Sequence, residues 1–272
     1  MSKVETATYT TPLRREAAIL MLSPLLRSDI IKDPECDGLA DFEKMLLEGF
    51  GGVVVFKHFS LKDPPLILKE IASLSKVVRR RNIIAPTSSH QVLPGEMAVT
   101  NVLGIRIDII VTENTVKKAV RQGKPVPKLG EGNEQFIRDA VEIVRQGGIL
   151  FIAPEGERKP NLKPYYERAE GQTPKRPVGF FLAAARGSNV ENIAFLFVDL
   201  RLSGREDYWG KSSFNALDKY EVRIGRALTL RQVMEIAGKA GDVDEKVIFP
   251  EMQRTAAIQR PPRDGESSNI LF

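Results

Sequence analysis

The chain has 272 residues, of which 42% are hydrophobic and 28% are charged, so it can bury a core without covalent cross-links. Its one cysteine, Cys36, excludes an intrachain disulfide, and one cysteine with two histidines cannot furnish an ordinary structural zinc site. No apolar run is long enough for a membrane span, and the N-terminus lacks the pattern of a signal peptide. We therefore expect a cytoplasmic protein without a bound metal.

The charge balance is mildly basic, with a formal net charge of +5 at pH 7. Such an excess favours anionic partners, which include phosphates, a coenzyme and an acidic membrane surface. The sequence has no zinc-finger spacing, heptad zipper or aromatic ribonucleoprotein motif, so we expect no nucleic-acid partner.

The first 50 residues predict N-terminal helices. Apolar residues recur with helical spacing over 13–32, with a break near Pro24, and a second helix is predicted at 39–49. The amphipathic 13–32 segment and the basic excess together predict peripheral contact with an anionic membrane. Packing of the same helix on the protein core is an equally good interpretation.

The middle of the chain alternates strand and helix patterns. Gly51-Gly52 opens the β-branched run 53–56, which is typical of a buried strand, and Asp63-Pro64 begins a helix. The apolar stripe of that helix is predicted to be Ile67, Ile71, Leu74 and Val78. The later predicted elements are strands at 82–85 and 105–111, a helix at 133–146 ended by Gly147-Gly148, a strand at 149–152, a helix at 178–186, strands at 193–200 and 219–224, and a helix at 229–238.

This alternation predicts an α/β fold with a mostly parallel or mixed central sheet and helices on both faces. We expect a single domain over 1–255, followed by a loose C-terminal tail at 256–272 that is rich in Arg, Pro, Gly and Ser. Functional sites in such sheets collect at the carboxyl ends of the strands.

One strand end carries His58, which is one of only two histidines in the chain. A turn from strand to helix can bring the Asp63 carboxylate back to the imidazole, where it would fix the tautomer while the other nitrogen takes a proton from a hydroxyl. Asp63 followed by Pro64 is also a good start for a helix, so a purely structural role for Asp63 stays open.

The other strand end continues into the loop Pro154-Glu155-Gly156-Glu157-Arg158. Gly156 permits close approach of backbone N–H groups to a ligand, and Arg158 offers a planar fork that suits phosphate. The loop alone is a weak phosphate motif, because turns rich in Pro, Gly and charge are common.

Together the two loops resemble the glycerolipid (1-acylglycerol-3-phosphate, PlsC-like) acyltransferases. His58-x4-Asp63 with Ser60 is similar to that family's Asn-His-x-Ser-x-x-Asp block, and 152–158 is similar to its Phe-Pro-Glu-Gly-Thr-Arg block. The blocks lie about 90 residues apart, each after an apolar strand. The resemblance spans roughly residues 50–200, and the pair of motifs is more specific than either one. We therefore expect the 53–56 and 149–152 strands to lie close together in the sheet, with His58 and Arg158 facing one cleft.

The resemblance implies transfer of an acyl group from acyl-CoA or acyl-carrier protein to a lipid hydroxyl, without a further cofactor. It assigns His58 as the base and Asp63 as its orienting group. It places Ser60, Glu155, Gly156 and Arg158 in the substrate-binding region, with Arg158 on the phosphate and Glu155 bracing the loop. A non-catalytic lipid or phosphate-binding protein on the same fold is the alternative.

The chain departs from the family pattern at several positions. Lys57 stands where Asn is usual, Ala153 replaces Phe and Glu157 replaces Thr. The family's second block ends in an arginine, where this chain has Thr112; Arg106, Lys117 and Lys118 are candidate substitutes. The strand at 193–198 lacks the family's proline.

Other nucleophiles and phosphate loops fit the sequence poorly. No Gly-x-Ser-x-Gly elbow is present, and the glycines before Lys211-Ser212 have the wrong spacing for a P-loop. Cys36 lies between Glu35 and Asp37, acidic neighbours that raise a thiol pKa. We therefore expect no acyl-enzyme intermediate.

Overall fold

A central sheet organises the chain in the computed structural model, which describes residues 15–17, 19, 28–57, 63–88, 102–130, 132–154, 177–202 and 220–259. Within these ranges the strands are β1 (Ser28–Lys32), β2 (Gly51–Phe56), β3 (Ile83–Ser88), β4 (Ile105–Ile110), β5 (Ile149–Ile152), β6 (Ile193–Leu202) and β7 (Tyr220–Thr229). They form one seven-stranded sheet in the order β1-β7-β6-β2-β5-β3-β4. The β6–β7 pair is antiparallel and the other pairs are parallel. The predicted mostly parallel α/β sheet is confirmed.

Helices cover both faces of this sheet, as predicted. In chain order they are α1 (Gly38–Leu47), α2 (Asp63–Leu74), α3 (Lys76–Arg79), α4 (Glu113–Arg121), α5 (Asn133–Arg145), α6 (Pro177–Gly187), α7 (Leu230–Ala237) and α8 (Phe249–Ala257). A 3-10 turn (Ala240–Asp242) and a π-helical turn (Asp244–Ile248) precede α8. Apolar side chains of α1, α2 and α3 pack on one face, and those of α5 to α8 pack on the other. None of the helices in the described ranges is both long and apolar enough to cross a membrane.

Strand β2 lies at the centre of both cores, which explains its unbroken apolar run. Val53 and Val55 contribute to the core on the α5–α8 side, whereas Val54 and Phe56 contribute to the core on the α1–α3 side. A strand covered on both faces has no solvent side, so its sequence shows no polar alternation. Full burial of a side chain of this size contributes roughly 1.5–3 kcal/mol.

Two pairs of glycines allow α5 to pass closely over the start of β2. A Cβ atom on Gly51 would lie 2.0 Å from the backbone oxygen of Val144, so a side chain at 51 would push the end of α5 away from the sheet. Gly147 has φ +78°, which allows the chain to leave α5 and enter β5 within a few residues. The glycines at 51–52 therefore permit close packing of α5 on the sheet, and those at 147–148 permit the turn from α5 into β5.

The N-terminal helix prediction is wrong over residues 28–32, where the chain forms β1. This strand pairs in parallel with β7, from Ser28 opposite Tyr220 to Lys32 opposite Ile224. The β-branched pair Ile30-Ile31 suits the edge of a sheet, and hydrogen bonds to β7 outweigh the helical spacing of the apolar residues. The N-terminal 50 residues therefore include a strand of the central sheet.

Arg15 ties the N-terminal helical residues to the body of the protein. It is 4% exposed, and it donates hydrogen bonds to the backbone oxygens of Leu103, Gly104, Arg79 and Arg81. Burial lowers its pKa to about 10. Ile19 is also buried, so these two side chains face the core rather than a membrane.

Several boundaries differ from the predictions. Leu74 is 45% exposed rather than buried, because α2 ends there and Ser75 caps a separate short helix, α3, which carries the buried Val78. Helices α4 and α8 were not predicted. α8 ends at Ala257, inside the range predicted as a tail, and residues from 260 onward lie outside the described part of the chain.

Candidate functional site

The two strands that precede the candidate motifs are direct neighbours in the sheet. β2 and β5 run parallel, with Val53 opposite Leu150 and Val55 opposite Ile152. On its other side β2 pairs with β6, with Phe56 opposite Val198. Carboxyl ends of parallel neighbours lie at one edge of a sheet, about 5 Å apart. The prediction that the 53–56 and 149–152 strands lie close together is confirmed.

The predicted site side chains themselves lie outside the described residues. These are His58, Ser60, Glu155, Gly156 and Arg158. Of Asp63 only the backbone is described, as the first residue of α2. The prediction that His58 and Arg158 face one cleft therefore stays a prediction.

The last described residues before the two motifs, Lys57 and Pro154, are both buried. Lys57 is 5% exposed, and its backbone N–H donates to the carbonyl oxygen of Val198 at 3.4 Å. Pro154 is buried, and extension of the strand register places it opposite Lys57. Just before these residues, the rings of Phe56 and Phe151 lie with centroids 6.2 Å apart and planes tilted by 55°. Each loop therefore starts from a fixed position in the sheet.

Helix α2 packs on the face of the sheet that carries Val54 and Phe56, next to the end of β2. Its side chains Leu66, Ile67 and Ile71 are buried in the same core as Val54 and Phe56 of β2. The helix starts at Asp63, six residues after Lys57, so a short connection joins the end of β2 to the helix that covers that strand. A strand that ends at Phe56 and a helix that starts at Asp63 are compatible with the strand-to-helix connection that the sequence predicts around His58.

A buried charged cluster lies beside Lys57 at the end of β6. Asp199 is 1% exposed and accepts from Nε of Arg201 at 3.1 Å. On β7, Arg223 lies opposite Asp199 and pairs with Glu221 at 3.1 Å. This cluster was not predicted, although charged residues alternate with apolar ones in both strands, a pattern that indicates a polar row on one face.

The two arginines of this cluster hold the end of α8 against the sheet. Nη2 of Arg201 and Nη1 of Arg223 donate to the backbone oxygen of Ala256 at 2.6 and 2.5 Å. The last carbonyls of a helix have no partner within the helix and carry its negative dipole end, so cations bind there well. The cluster thus holds the end of α8 against the sheet, near the end of β2.

The candidate substitutes for the missing second-block arginine have other partners or lie elsewhere. Arg106 forms ion pairs with Asp108, at 2.9 Å, and with Asp139. Burial opposes its charge, but the two carboxylates raise the pKa of Arg106 above its usual value. It lies opposite Ile84, in the first half of the strands and away from their carboxyl ends.

Thr112, at the position of that arginine, caps a helix. Its hydroxyl accepts from the backbone N–H of Thr115 at 3.3 Å and so begins α4. Lys117 and Lys118 lie on that helix, where both are exposed and Lys117 lies 4.0 Å from Glu113. The described residues at the end of β4 therefore contain a helix cap where the family pattern has a cation.

The pKa of the Cys36 thiol is raised, the direction that the sequence predicts. Burial raises the pKa of its thiol, and the carboxylate of Asp33 raises it further, against a smaller opposite effect of Arg254. The acidic influence comes from Asp33 rather than from the flanking Glu35 and Asp37. Over the described ranges, no three His, Cys, Asp or Glu side chains gather in a way that could hold a metal ion.

No protein-family model matches the chain, and no curated protein matches it.

Proposed function

We propose that the chain is an acyltransferase that moves a fatty acyl group from acyl-CoA or acyl-carrier protein to a hydroxyl of glycerol phosphate, lysophosphatidate or a related lipid. The observation that carries the proposal is the parallel pairing of β2 with β5, with Val55 opposite Ile152. The His58 motif and the Glu155-Gly156-x-Arg158 motif thereby leave the sheet from adjacent strand ends. Two loops about 90 residues apart in the sequence can then serve one substrate.

In the proposed reaction His58 acts as a general base. Its imidazole takes the proton of the acceptor hydroxyl while the hydroxyl oxygen attacks the thioester carbonyl carbon. A carbon–oxygen ester bond forms, the carbon–sulfur bond breaks, and the departing thiolate receives the proton from the imidazolium. Asp63 orients the imidazole, and Arg158 with the backbone near Gly156 binds the acceptor phosphate.

The course of β2 and α2 supports the proposed pairing of His58 with Asp63. Val54 and Phe56 point toward the face that α2 covers, and side chains alternate along a strand. We expect a residue two positions after Phe56 to point toward the same face, where α2 starts at Asp63. Continued alternation would thus bring the imidazole and the carboxylate to one side of the sheet.

The test is an acyl-transfer assay with labelled acyl-CoA or acyl-carrier protein and a panel of lysolipids. His58→Ala should lower turnover by about 10²–10⁴-fold, the usual contribution of a general base. His90→Ala is the matched control, because His90 is the other histidine of the chain and has no role in the proposed reaction. Turnover of His58→Ala within a few-fold of the unmodified chain would refute the proposal.

A lipid- or phosphate-binding protein without catalysis is the second candidate. It is favoured by one observation, that Thr112 caps α4 at the position where the family has an arginine. The same assay separates the two functions. Tight binding of a lysolipid without any turnover, for every donor and acceptor offered, would favour the binding protein.

A further inference from the structure

A basic surface with exposed apolar side chains lies beside the carboxyl end of β4, the edge strand of the sheet. It consists of α4, the connection 122–130 and Ile109 of β4, and we name it the basic edge surface. Between residues 113 and 130 it carries five cations, Lys117, Lys118, Arg121, Lys124 and Lys128, and a single acidic residue, Glu113. It takes no part in the proposed acyl transfer.

Helix α4 presents its charged side outward. Thr115 is buried, and Val116 and Ala119 are half-buried on the same side of the helix. Lys117, Lys118 and Arg121 lie on the opposite side and are exposed. Beside them Val120 is 61% exposed. The helix therefore displays one apolar side chain among its cations.

The connection after α4 has a backbone hydrogen bond at each end. Lys124 N–H donates to the carbonyl oxygen of Ala119 at 3.0 Å, which closes the end of the helix. Gly130 N–H donates to the carbonyl oxygen of Val111 at 3.2 Å, which returns the chain to the end of β4. The segment between these bonds therefore begins at the end of α4 and returns to the end of β4, and its side chains are almost all exposed.

Apolar side chains on this segment are exposed. Val126 is 55% exposed and Leu129 is 57% exposed, and on the neighbouring edge strand Ile109 is 51% exposed. Lys124 and Lys128 alternate with them along the connection. Surface apolar residues that occur singly are normal, but four of them interleaved with five cations on one edge indicate a binding surface.

We propose that the basic edge surface docks on an anionic lipid bilayer. The Lys and Arg side chains would pair with the phosphate headgroups, and the apolar side chains would enter the boundary between headgroups and acyl chains. A bilayer is the occupant we propose because its phosphate layer and its acyl boundary match the cations and the apolar side chains together, and binding of an acidic protein instead is an outcome of the test. Each cation near such a membrane contributes roughly fivefold in affinity.

The basic edge surface lies at the same end of the sheet as the proposed acyl-transfer site, which suits an enzyme that acts on lipids. The docking proposal deepens that proposed function but does not depend on acyl transfer. α4 begins directly after the carboxyl end of β4, which lies at the same sheet edge as the ends of β2 and β5. Vesicle binding is measured without acyl donor or acceptor turnover. A failure of membrane docking is therefore distinguishable from a failure of the proposed acyl transfer.

The test is flotation of the full chain with vesicles of phosphatidylglycerol and phosphatidylcholine in equal parts, compared with phosphatidylcholine alone. We expect binding to the anionic vesicles and little to the neutral ones. Replacement of Arg121, Lys124 and Lys128 by Glu should weaken binding by about 100-fold or more. The control replaces Arg186, Arg231 and Lys239 by Glu, which changes the net charge equally on exposed positions outside this surface and should retain most of the binding.

A second variant keeps the charge and removes apolar area. Val126→Ser with Leu129→Ser should weaken vesicle binding by about tenfold, and the loss should persist at high salt, which screens the cations. Thermal unfolding of all variants checks that they fold. Equal loss in both charge variants, equal binding to neutral vesicles, or release by inorganic phosphate at matched ionic strength would overturn the proposal. So would absence of vesicle binding together with binding of an acidic carrier protein.

Discussion

The guanidinium group of Arg158 is expected to bind the acceptor phosphate equally in the ground state and in the transition state. Arg158→Ala should then raise the acceptor KM with little change in kcat, whereas His58→Ala lowers kcat. A charge-assisted pair contributes roughly 1.5–3 kcal/mol, so the expected rise in KM is about 10–100-fold. Arg158→Lys should recover part of it, because an ammonium group cannot reproduce the bidentate fork.

Saturation kinetics with a phosphorylated and an unphosphorylated acceptor check this division of roles. The phosphorylated acceptor should lose affinity and the unphosphorylated one should not. Equal damage to both acceptors would mean that Arg158 contacts the acyl donor or serves the fold, and the glycerophosphate assignment would then fall.

Cys36 offers a test of the absence of an acyl-enzyme. Because burial and Asp33 raise the pKa of its thiol, less thiolate forms at a given pH than in an unfolded chain. Alkylation by iodoacetamide should therefore be slower in the folded protein, with its pH midpoint shifted upward relative to the guanidinium-unfolded chain. A midpoint below that of the unfolded chain, or an acyl adduct trapped on Cys36, would contradict the expectation.

At the level of elements, the connection between α4 and α5 depends on the backbone of Gly132. This residue has φ +82°, and an added Cβ would lie 2.6 Å from the backbone oxygen of Ile109. Gly132→Ala therefore combines an unfavourable φ with a close contact, and we expect a loss of about 2–3 kcal/mol in the free energy of unfolding. Denaturant unfolding measures it.

Gly123 provides the matched control for that substitution. It also has a positive φ, +61°, but an added Cβ would meet no atom within 4 Å. Gly123→Ala should thus show the cost of the backbone conformation alone, about 1–2 kcal/mol. If the two variants lose the same stability, the contact with Ile109 contributes nothing.

For the whole molecule, α8 completes the core on the α5–α8 side of the sheet. Phe249 and Met252 are buried, and the Ala256 carbonyl receives both Arg201 and Arg223. Removal of residues 249–272 would leave two arginines without this partner and open the core, which costs several kcal/mol. We expect that chain to aggregate or to lose cooperative unfolding.

Removal of residues 260–272 alone is the control for this truncation. Its Arg, Pro, Gly and Ser composition predicts little apolar burial, so we expect a change in Tm of only about a few degrees. Calorimetry of both truncated chains tests the difference. Equal stability of the two would show that α8 is dispensable.

Local sequence patterns correctly predicted elements whose residues are all buried or whose backbone needs a particular φ. The run 53–56 is buried on both faces, so its apolar character alone indicates a strand, and Gly147-Gly148 marks the end of α5 because a positive φ is required there. For residues 28–32 the local pattern gave the wrong element. Their apolar spacing fits a helix equally well, and only pairing with β7 makes them a strand.

The candidate site shows the same division. The sequence alone determined the alternation of strand and helix, the two motifs and the strand ends that carry them, because these depend on neighbours within a few residues. The motifs predicted that β2 and β5 lie close together, but only tertiary structure made β6 the other neighbour of β2 and brought Asp199, Arg201 and Arg223 together beneath α8. Such pairings join residues far apart in the chain, and their free energy comes from shared burial and hydrogen bonding that exist only once the sheet has formed.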